Sequence, residues 1–593
     1  MAGFEAAAGL PQVTSAALAE RPERSAPGLA VTVSLRDVVI LGSLHVSGVV
    51  PVDVTLDWRP LGDVVRDGGP DLFAALTWKH GLNDLIGRAP EMAALIGWAQ
   101  DGDTGVSVRL MSGPAGVGKT RLAAEAAERL RGLGWTAGFL AREVRKARAF
   151  HAPGAGLFLI LDYPEERRDV VDEILETLSD RSGAEGKPVR ILLVSRKPAE
   201  EWEDTAALLG TLFSRQEIAR PAPLPLAAAS QVLTEAATRF AGLTGESLPD
   251  LGAAEAWLAR AEIHRRPLFA AASGIRAVVT GSPAFDYGAA DLMRDLARRE
   301  RVRVEGISTR AGLGRHGLAR LLALGILSRD GLDEDDLRAL GAGDIAPLAG
   351  TALVDALRTT PWMTRPDGAG RYAPARLERL EPDQPAAAFF ADVLLPETRL
   401  PDWLAVPAEG AGGEFGKILA RLAFDLATLD PGASRAAEQA ALEMLDRTPA
   451  LAETLRPVAT ALATAFSARF AAAIATRLLA TATEPADRAP LLGSLGNHLS
   501  ATGRRDDALR ATKEAADLYR TLARDDSERH GPGLATAVSN LANRLSEVGR
   551  REEALAAAEE AVALRRTLAA ARPEAFTPDL AMSVSNLANH LSE

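Results

Sequence analysis

The chain has 593 residues, 47% of them hydrophobic and 25% charged, and a formal net charge of −12. That length exceeds one core and requires several domains, and the acidic balance gives no bulk reason for non-specific nucleic-acid binding, although it says nothing about a local basic face. There are no cysteines, which rules out disulfides, thiolate zinc sites and a cysteine nucleophile and fits a reducing cytosol.

The N-terminus lacks the basic start and apolar core of a secretory signal. The most apolar early run, VVILGSLHVSGVVPV, is broken by Ser, His, Gly and Pro and is too short to span a bilayer, so the cytoplasm is the default location. Between Val31 and Trp58, Val52, Val54 and Leu56 interleave with Asp53, Thr55 and Asp57, which predicts strands on a small sheet. Residues 1–80 therefore read as an N-terminal segment, β-rich from about 31, with no catalytic motif.

Residues 81–225 change to apolar runs alternating with amphipathic helices. VSVRLMSG, WTAGFLA, GLFLILDY and VRILLVSR read as four strands, with a helix over Lys119 to Leu130 and a charged helix from about Glu166. Buried runs separated by helices predict a parallel sheet in an α/β domain. Helices then take over: a helical unit over 226–299, with Ala227 to Leu243 and Gly252 to Ile263, and a compact helical or winged-helix-like region over 300–400. An Ala-rich helical spacer covers 401–484, with Pro- and Gly-rich text near 360–370 and 396–413 marking loops.

The last hundred residues repeat. Asn497, Asn543 and Asn589 are spaced by 46 (543 − 497 and 589 − 543), and Gly503/Gly549, Ala508/Ala554 and Ala515/Ala561 share that offset. A fixed period carrying helix–turn–helix text predicts stacked hairpins over 485–593, small Ala positions allowing close approach and Gly supplying the turn. The competing coiled coil is broken by those Gly turns and by Pro573. The final unit has its first helix and lacks the second, which predicts that the chain is a fragment of a longer array.

The most specific motif is GPAGVGKT, which satisfies G-x-x-x-x-G-K-T between an apolar strand and a helix. Gly113, Gly116 and Gly118 let backbone N–H groups wrap a phosphate, with Pro114, Ala115 and Val117 supplying the rest of the loop. Lys119 places a charge on the terminal phosphates, Thr120 offers a hydroxyl to Mg²⁺, and the helix N-terminus adds partial positive charge. Asp162, after five apolar residues, is placed to complete the Mg²⁺ site. Glu165 and Glu166 are either water-orienting bases, Glu165 the better placed, or the acidic first turn of a helix. Arg196 ends the fourth strand, where it can touch a γ-phosphate.

Together these segments resemble the signal-transducing P-loop NTPases of the STAND class, which includes the NB-ARC and NACHT proteins. LIGRAPEM resembles the segment preceding the P-loop in that class, which implies that Gly87 and Arg88 lie near adenine; Arg121, next to Thr120, is counted with the nucleotide-binding residues. LFLILDYPEE resembles the Walker B strand, LLVSR the sensor strand, and RRPLFAA the segment whose proline, here Pro267, approaches the base. Two departures stand out: there is no Met-His-Asp motif in 300–400, and the glycine preceding the proline is missing. The C-terminal units resemble lengthened tetratricopeptide repeats of the kinesin-light-chain kind, which implies binding of a protein or peptide partner.

The resemblance implies an ATP/ADP- and Mg²⁺-dependent switch with slow hydrolysis, nucleotide-dependent self-association and a role in bacterial defence signalling. Two other functions stay open: a transcription regulator of the same class, whose DNA-binding module would lie either beyond the present C-terminus or in the winged-helix stretch with Arg315, His316 and Arg320, and a repeat scaffold with a vestigial nucleotide site. The eight histidines show no paired metal-ligand spacing, and no G-x-S-x-G elbow is present.

Overall fold

A computed structural model describes residues 54–592 except 67–68, 103, 141–153, 167–170, 176–186, 203–204, 206–208, 215, 283, 329–330, 341–344, 365–374 and 461–467. The strands expected between Val31 and Asp53 lie outside the described residues, as does part of the helix expected after Glu166. Among the described residues no helix is long and apolar enough to cross a membrane.

The four apolar runs form the strands they predict: β2 (Val106–Ser112), β3 (Thr136–Leu140), β4 (Leu157–Asp162) and β5 (Val189–Ser195). With β1 (Val54–Thr55) they make one sheet of order β1-β3-β4-β5-β2, in which β1 is antiparallel to β3 and every other pairing is parallel. The alternating text near residue 54 therefore does not build a sheet of its own where it is described. Val54 and Thr55 extend the edge of the parallel sheet. Both faces are buried, which explains why these strands read as continuous apolar runs. Val108, Leu110, Leu159 and Ile191 pack on one side with Trp202 and Phe213. Phe158, Ile160 and Leu192 pack on the other against Leu95 of helix α1 (Ala89–Ala99) and Leu122 of helix α2 (Lys119–Gly132). Register aligns the carboxyl ends: Ser112 lies opposite Ser195, and Asp162 opposite Val194.

The helical half follows as α3 (Leu226–Thr244), α4 (Pro267–Thr280), α5 (Ala289–Arg310), α6 (Asp383–Leu394) and α7 (Gly413–Leu429). Short helices at Gly317–Gly325, Glu334–Ala339 and Gly350–Leu357 accompany a three-stranded antiparallel sheet of two-residue strands. The helical region expected over 300–400 does not begin with a break at 300: α5 runs unbroken through that position because no Gly or Pro interrupts Ala289–Ser308 except Gly306, near its end. Residues from 226 to 484 share one continuous hydrophobic cluster, which takes in Phe240, Phe269, Leu321, Phe389, Phe415 and Phe470. Helical text reveals each amphipathic stripe but not which stripes face one another.

Where α3 crosses α4, a Cβ built on Gly274 would lie 2.3 Å from the Leu233 carbonyl oxygen. Gly274→Ala is therefore expected to cost about 1–3 kcal/mol, the penalty of overpacking. Gly97→Ala in α1, where nothing lies within 4 Å, should gain about 0.5–1 kcal/mol from helix propensity. Denaturant midpoints of the two variants should move in opposite directions, and parallel shifts would contradict the packing account.

The C-terminal repeats are helices α8 (Pro485–Ala501), α9 (Arg505–Asp525), α10 (Ser527–Glu547), α11 (Arg551–Ala571) and α12 (Pro573–Ser592). The starts of α9 and α11, and of α10 and α12, are both 46 apart (551 − 505, 573 − 527). Gly503 and Gly549 take φ of 78° and 77° in the turns, and Ala508, Ala515, Ala554 and Ala561 are all buried between helices.

Candidate functional site

The loop after β2 is shaped by its glycines. Gly113, Gly116 and Gly118 have φ of 148°, 79° and 89°, values that side chains rarely adopt. Its carbonyl groups are taken by donors. Lys119 Nζ donates to the oxygens of Gly113 and Pro114 (2.7 and 3.1 Å), and Arg266 donates to Ala115 (3.1 Å). The Leu268 N–H donates to Gly116 (3.2 Å), and Arg88 donates to Val117 (2.9 Å). With its oxygens occupied, the loop has its N–H groups left for an anion, and α2 begins at Lys119 with its N-terminus on the same spot.

Thr120 Oγ1 lies 3.3 Å from Asp162 Oδ2 and donates to it. Two hard oxygens at the end of adjoining elements fit Mg²⁺, which takes one or two protein ligands and completes its shell with phosphate and water. Burial, reinforced by the charge of Arg196, brings the Lys119 ammonium down to about 8 against the pull of Asp162, Glu165 and Asp383.

Behind Asp162 the chain does something unusual. Tyr163 adopts φ of 52°, the only positive value for a residue other than glycine among the described residues, at a cost of about 1–3 kcal/mol. Its N–H donates to the Val194 carbonyl, and its hydroxyl donates to Asp383 at the start of α6. Arg196 meets the same carboxylate at 2.7 Å through one terminal nitrogen and Asp425 of α7 at 2.9 Å through the other. Arg379 also reaches Asp383, at 3.0 Å. Burial works against the Arg196 charge, yet Asp425, Tyr163 and Asp383 hold it protonated well above its usual range. Burial likewise opposes Asp383, but Arg421, Arg196 and Arg379 keep it ionised below the usual carboxylate range. Asp425 is pushed up to about 6 by burial, with Arg196 opposing and Asp383 adding repulsion.

A cleft above the loop joins these groups. It is lined by Thr77, Trp78, Asn83 and Ile86 on one wall, Val232, Leu268 and Ala271 on another, and Lys119, Arg196, Asp383 and Gln384 at the phosphate end. An apolar wall at one end and a phosphate cradle at the other fit a nucleotide.

Known proteins add little to this geometry. No family model matches the chain, and no curated protein matches it. Among solved structures it is similar to the signal transduction ATPase with numerous domains (STAND) protein with a tetratricopeptide repeat sensor, PH0952, from Pyrococcus horikoshii. The identity is 11%, with 85% of this chain and 86% of that chain covered, at a TM-score of 0.21. So loose a superposition carries neither fold nor function across.

The residues expected from sequence fall into three groups. Lys119, Thr120, Asp162 and Arg196 all line the cleft together with Ala115, Gly116, Val117, Gly118 and Pro267, while Gly113 and Pro114 complete the loop behind Lys119. Glu165 accepts from the Arg196 N–H at 3.3 Å, which fixes it beside the end of β5. Glu166 ends the turn Pro164–Glu166, and its side chain lies outside the described residues.

The remaining three brace the site, and two of them, Arg88 and Arg121, also line the cleft. Gly87 has φ of 69°, and a Cβ there would lie 3.0 Å from Leu224. Arg88 spans the carbonyl groups of Val117 and Ala222, so it supports the loop. Arg121 donates to the carbonyl oxygens of Trp78 and Asn83 and stacks over Trp58 at 4.6 Å, tying the N-terminal segment to the cleft wall.

Tyr163, Asp383, Gln384, Arg421 and Asp425 were not reached from the sequence. Gln384 is 1% exposed, its amide has no hydrogen-bond partner among the described residues, and its oxygen lies 3.2 Å from where a Gly116 Cβ would be. The only available signal was the Arg421/Asp425 pair, two charges four residues apart beside the apolar stripe of α7.

Proposed function

We propose that the chain is a nucleotide-controlled switch that holds ADP in the closed arrangement seen here and opens when ATP replaces it. The observation that supports this most is Arg196. It ends the strand beside the phosphate loop, yet both its terminal nitrogens are occupied by carboxylates from downstream helices. A residue suited to a third phosphate is thereby held by the elements that cover the cleft. Lys119 and the loop N–H groups would bind the β-phosphate, and the buried Gln384 amide faces the same cradle from α6.

Mg²⁺, held by Thr120 and Asp162, would supply charge neutralisation at the phosphates. Glu165, anchored on the Arg196 N–H, is placed to orient a water. Asp162 and Lys119 fix the phosphate end, and Tyr163 couples the Asp162 strand to α6. The repeats, with their small-residue helix packing, suit a protein or peptide partner, whose preference for the open form would bias exchange. Nucleotide-dependent self-association and a role in bacterial defence signalling belong to the same reading.

Reading of DNA by the 315–320 stretch is disfavoured. Arg315 and His316 both bond Glu305 (2.8 and 3.0 Å), and Arg320 bonds Glu397, so each cation faces a carboxylate that a DNA phosphate would have to displace or lie beside.

Calorimetric titration with ADP and with a slowly hydrolysed ATP analogue, followed by light scattering on the eluted complexes, tests the proposal. Both nucleotides should bind, and only the triphosphate should enlarge the particle. Binding of neither, with the fold intact, would rule the switch out in favour of a scaffold.

A further inference from the structure

The nucleotide cleft is closed by more than the elements next to it in sequence. Helix α7 sits well past the three-stranded sheet and leads towards the repeats, yet it sends two charges into the phosphate end. Arg421 and Asp425 lie one turn apart on the same face, and both are buried, Asp425 to 2% exposure. Asp425 takes one nitrogen of Arg196 at 2.9 Å. Arg421 stands 5.2 Å over the Tyr163 ring, whose centroid is 5.4 Å from Arg196, so α7 grips both Tyr163 and the sensor arginine. We infer that Asp425 is a specificity-determining residue that makes the site favour a nucleoside diphosphate over a triphosphate, and so ties the docking of α7 to the number of phosphates bound.

This role for Asp425 presupposes the switch proposed above and follows from charge. A third phosphate beyond Lys119 must draw on Arg196, whose fork is already divided between Asp383 and Asp425. It would also bring new negative charge beside both carboxylates, with Asp162 and Glu165 close by. If Arg196 turns to the phosphate, Asp425 is left buried with less compensation, an arrangement that buried ion pairs resist strongly. The relief is to move α7 away. The triphosphate and the docked helix therefore compete for one guanidinium, while a diphosphate, which ends at Lys119, leaves the pair intact. Affinity for a ligand that needs the undocked state is lowered by the rarity of that state.

The test uses the full chain, Mg²⁺, ADP and a slowly hydrolysed ATP analogue. Asp425→Asn keeps the side-chain shape and removes the charge. It should leave ADP affinity within about twofold and tighten the analogue about tenfold, since the helix then releases Arg196 at lower cost. An unchanged ratio of the two dissociation constants, in a variant with wild-type circular dichroism, would overturn the inference. Should that variant not fold, amide exchange on the wild-type chain decides. Residues 413–429 should exchange faster with the analogue than with ADP, and equal exchange with both nucleotides bound overturns the inference alone. Failure of the wild type to bind either nucleotide would remove the switch reading as well.

Discussion

Lys119→Ala is expected to weaken nucleotide binding by about 100-fold, the loss of two charge-assisted hydrogen bonds worth about 1.5–3 kcal/mol each, less what the loop N–H groups retain. Lys119 is 9% exposed and now donates to the Gly113 and Pro114 carbonyl oxygens. A phosphate would exchange these neutral acceptors for charged ones, and burial strengthens the interaction. Calorimetric dissociation constants for ADP check the size of the effect, and a loss below about threefold would place the phosphate elsewhere.

The same residue gives the binding a pH profile. Burial and the neighbouring Arg196 bring Lys119 down to about 8, and only the charged form suits a phosphate. Affinity should hold up to about pH 7 and fall as pH rises through 8, by about tenfold per unit once the lysine is largely neutral. Folding stability carries the opposite sign. The unfolded lysine titrates near 10.5 and the folded one near 8, so between those values the unfolded chain holds more protons and stability from this group rises with pH. A binding curve that weakens while the thermal midpoint does not would separate the two effects. Lys119→Ala should remove the alkaline limb.

Much of this site was legible because its chemistry is local. GPAGVGKT encodes its own geometry: three glycines bend the loop, and the strand before and helix after set the direction of the N–H groups. Asp162 and Arg196 could be placed because parallel strands bring their carboxyl ends to one edge. What covers the cleft was not legible. Asp383 and Asp425 lie 187 and 229 residues beyond Arg196, and neither carries a local pattern that separates it from a solvated acid. Asp383 opens an ordinary helix, and Asp425 belongs to an i,i+4 pair of the kind common on exposed faces. Helix periodicity identified most helices of the second half but missed the shared core, because a stripe of Leu and Ala is compatible with many partners. Arg88 and Arg121 show a related limit. Both line the cleft, and the fold also uses them to brace the loop and to hold Trp58 and Trp78 in place, a second task that their position beside the motif does not reveal.

Arg196→Ala should be the most destabilising single change in the site, by about 3–5 kcal/mol, because it leaves two buried carboxylates without their shared cation. Asp383 would keep Arg379 at 3.0 Å and the charge of Arg421, whereas Arg421 supports Asp425 less than Arg196 does, so the larger share of the penalty falls on Asp425, which is 2% exposed and pairs with Arg196 at 2.9 Å. That assignment has a signature in pH. Burial already pushes Asp425 up to about 6 with Arg196 in place, and loss of the arginine raises it further. An acid whose folded pKa lies above its unfolded value of 3.8 costs stability at high pH and is relieved as pH falls through the folded value. The gap between Arg196→Ala and wild type should therefore be full at pH 8 and should narrow at pH 5.5. Adding Asp425→Asn to Arg196→Ala should recover about half of the loss, since an amide needs no counter-charge. Adding Asp383→Asn should recover less, because Arg379 then loses its own partner. Denaturant midpoints of the three variants at both pH values give the coupling directly. Equal recovery from either asparagine would mean that Arg196 serves the two carboxylates alike, and that α7 holds the site no more tightly than α6 does.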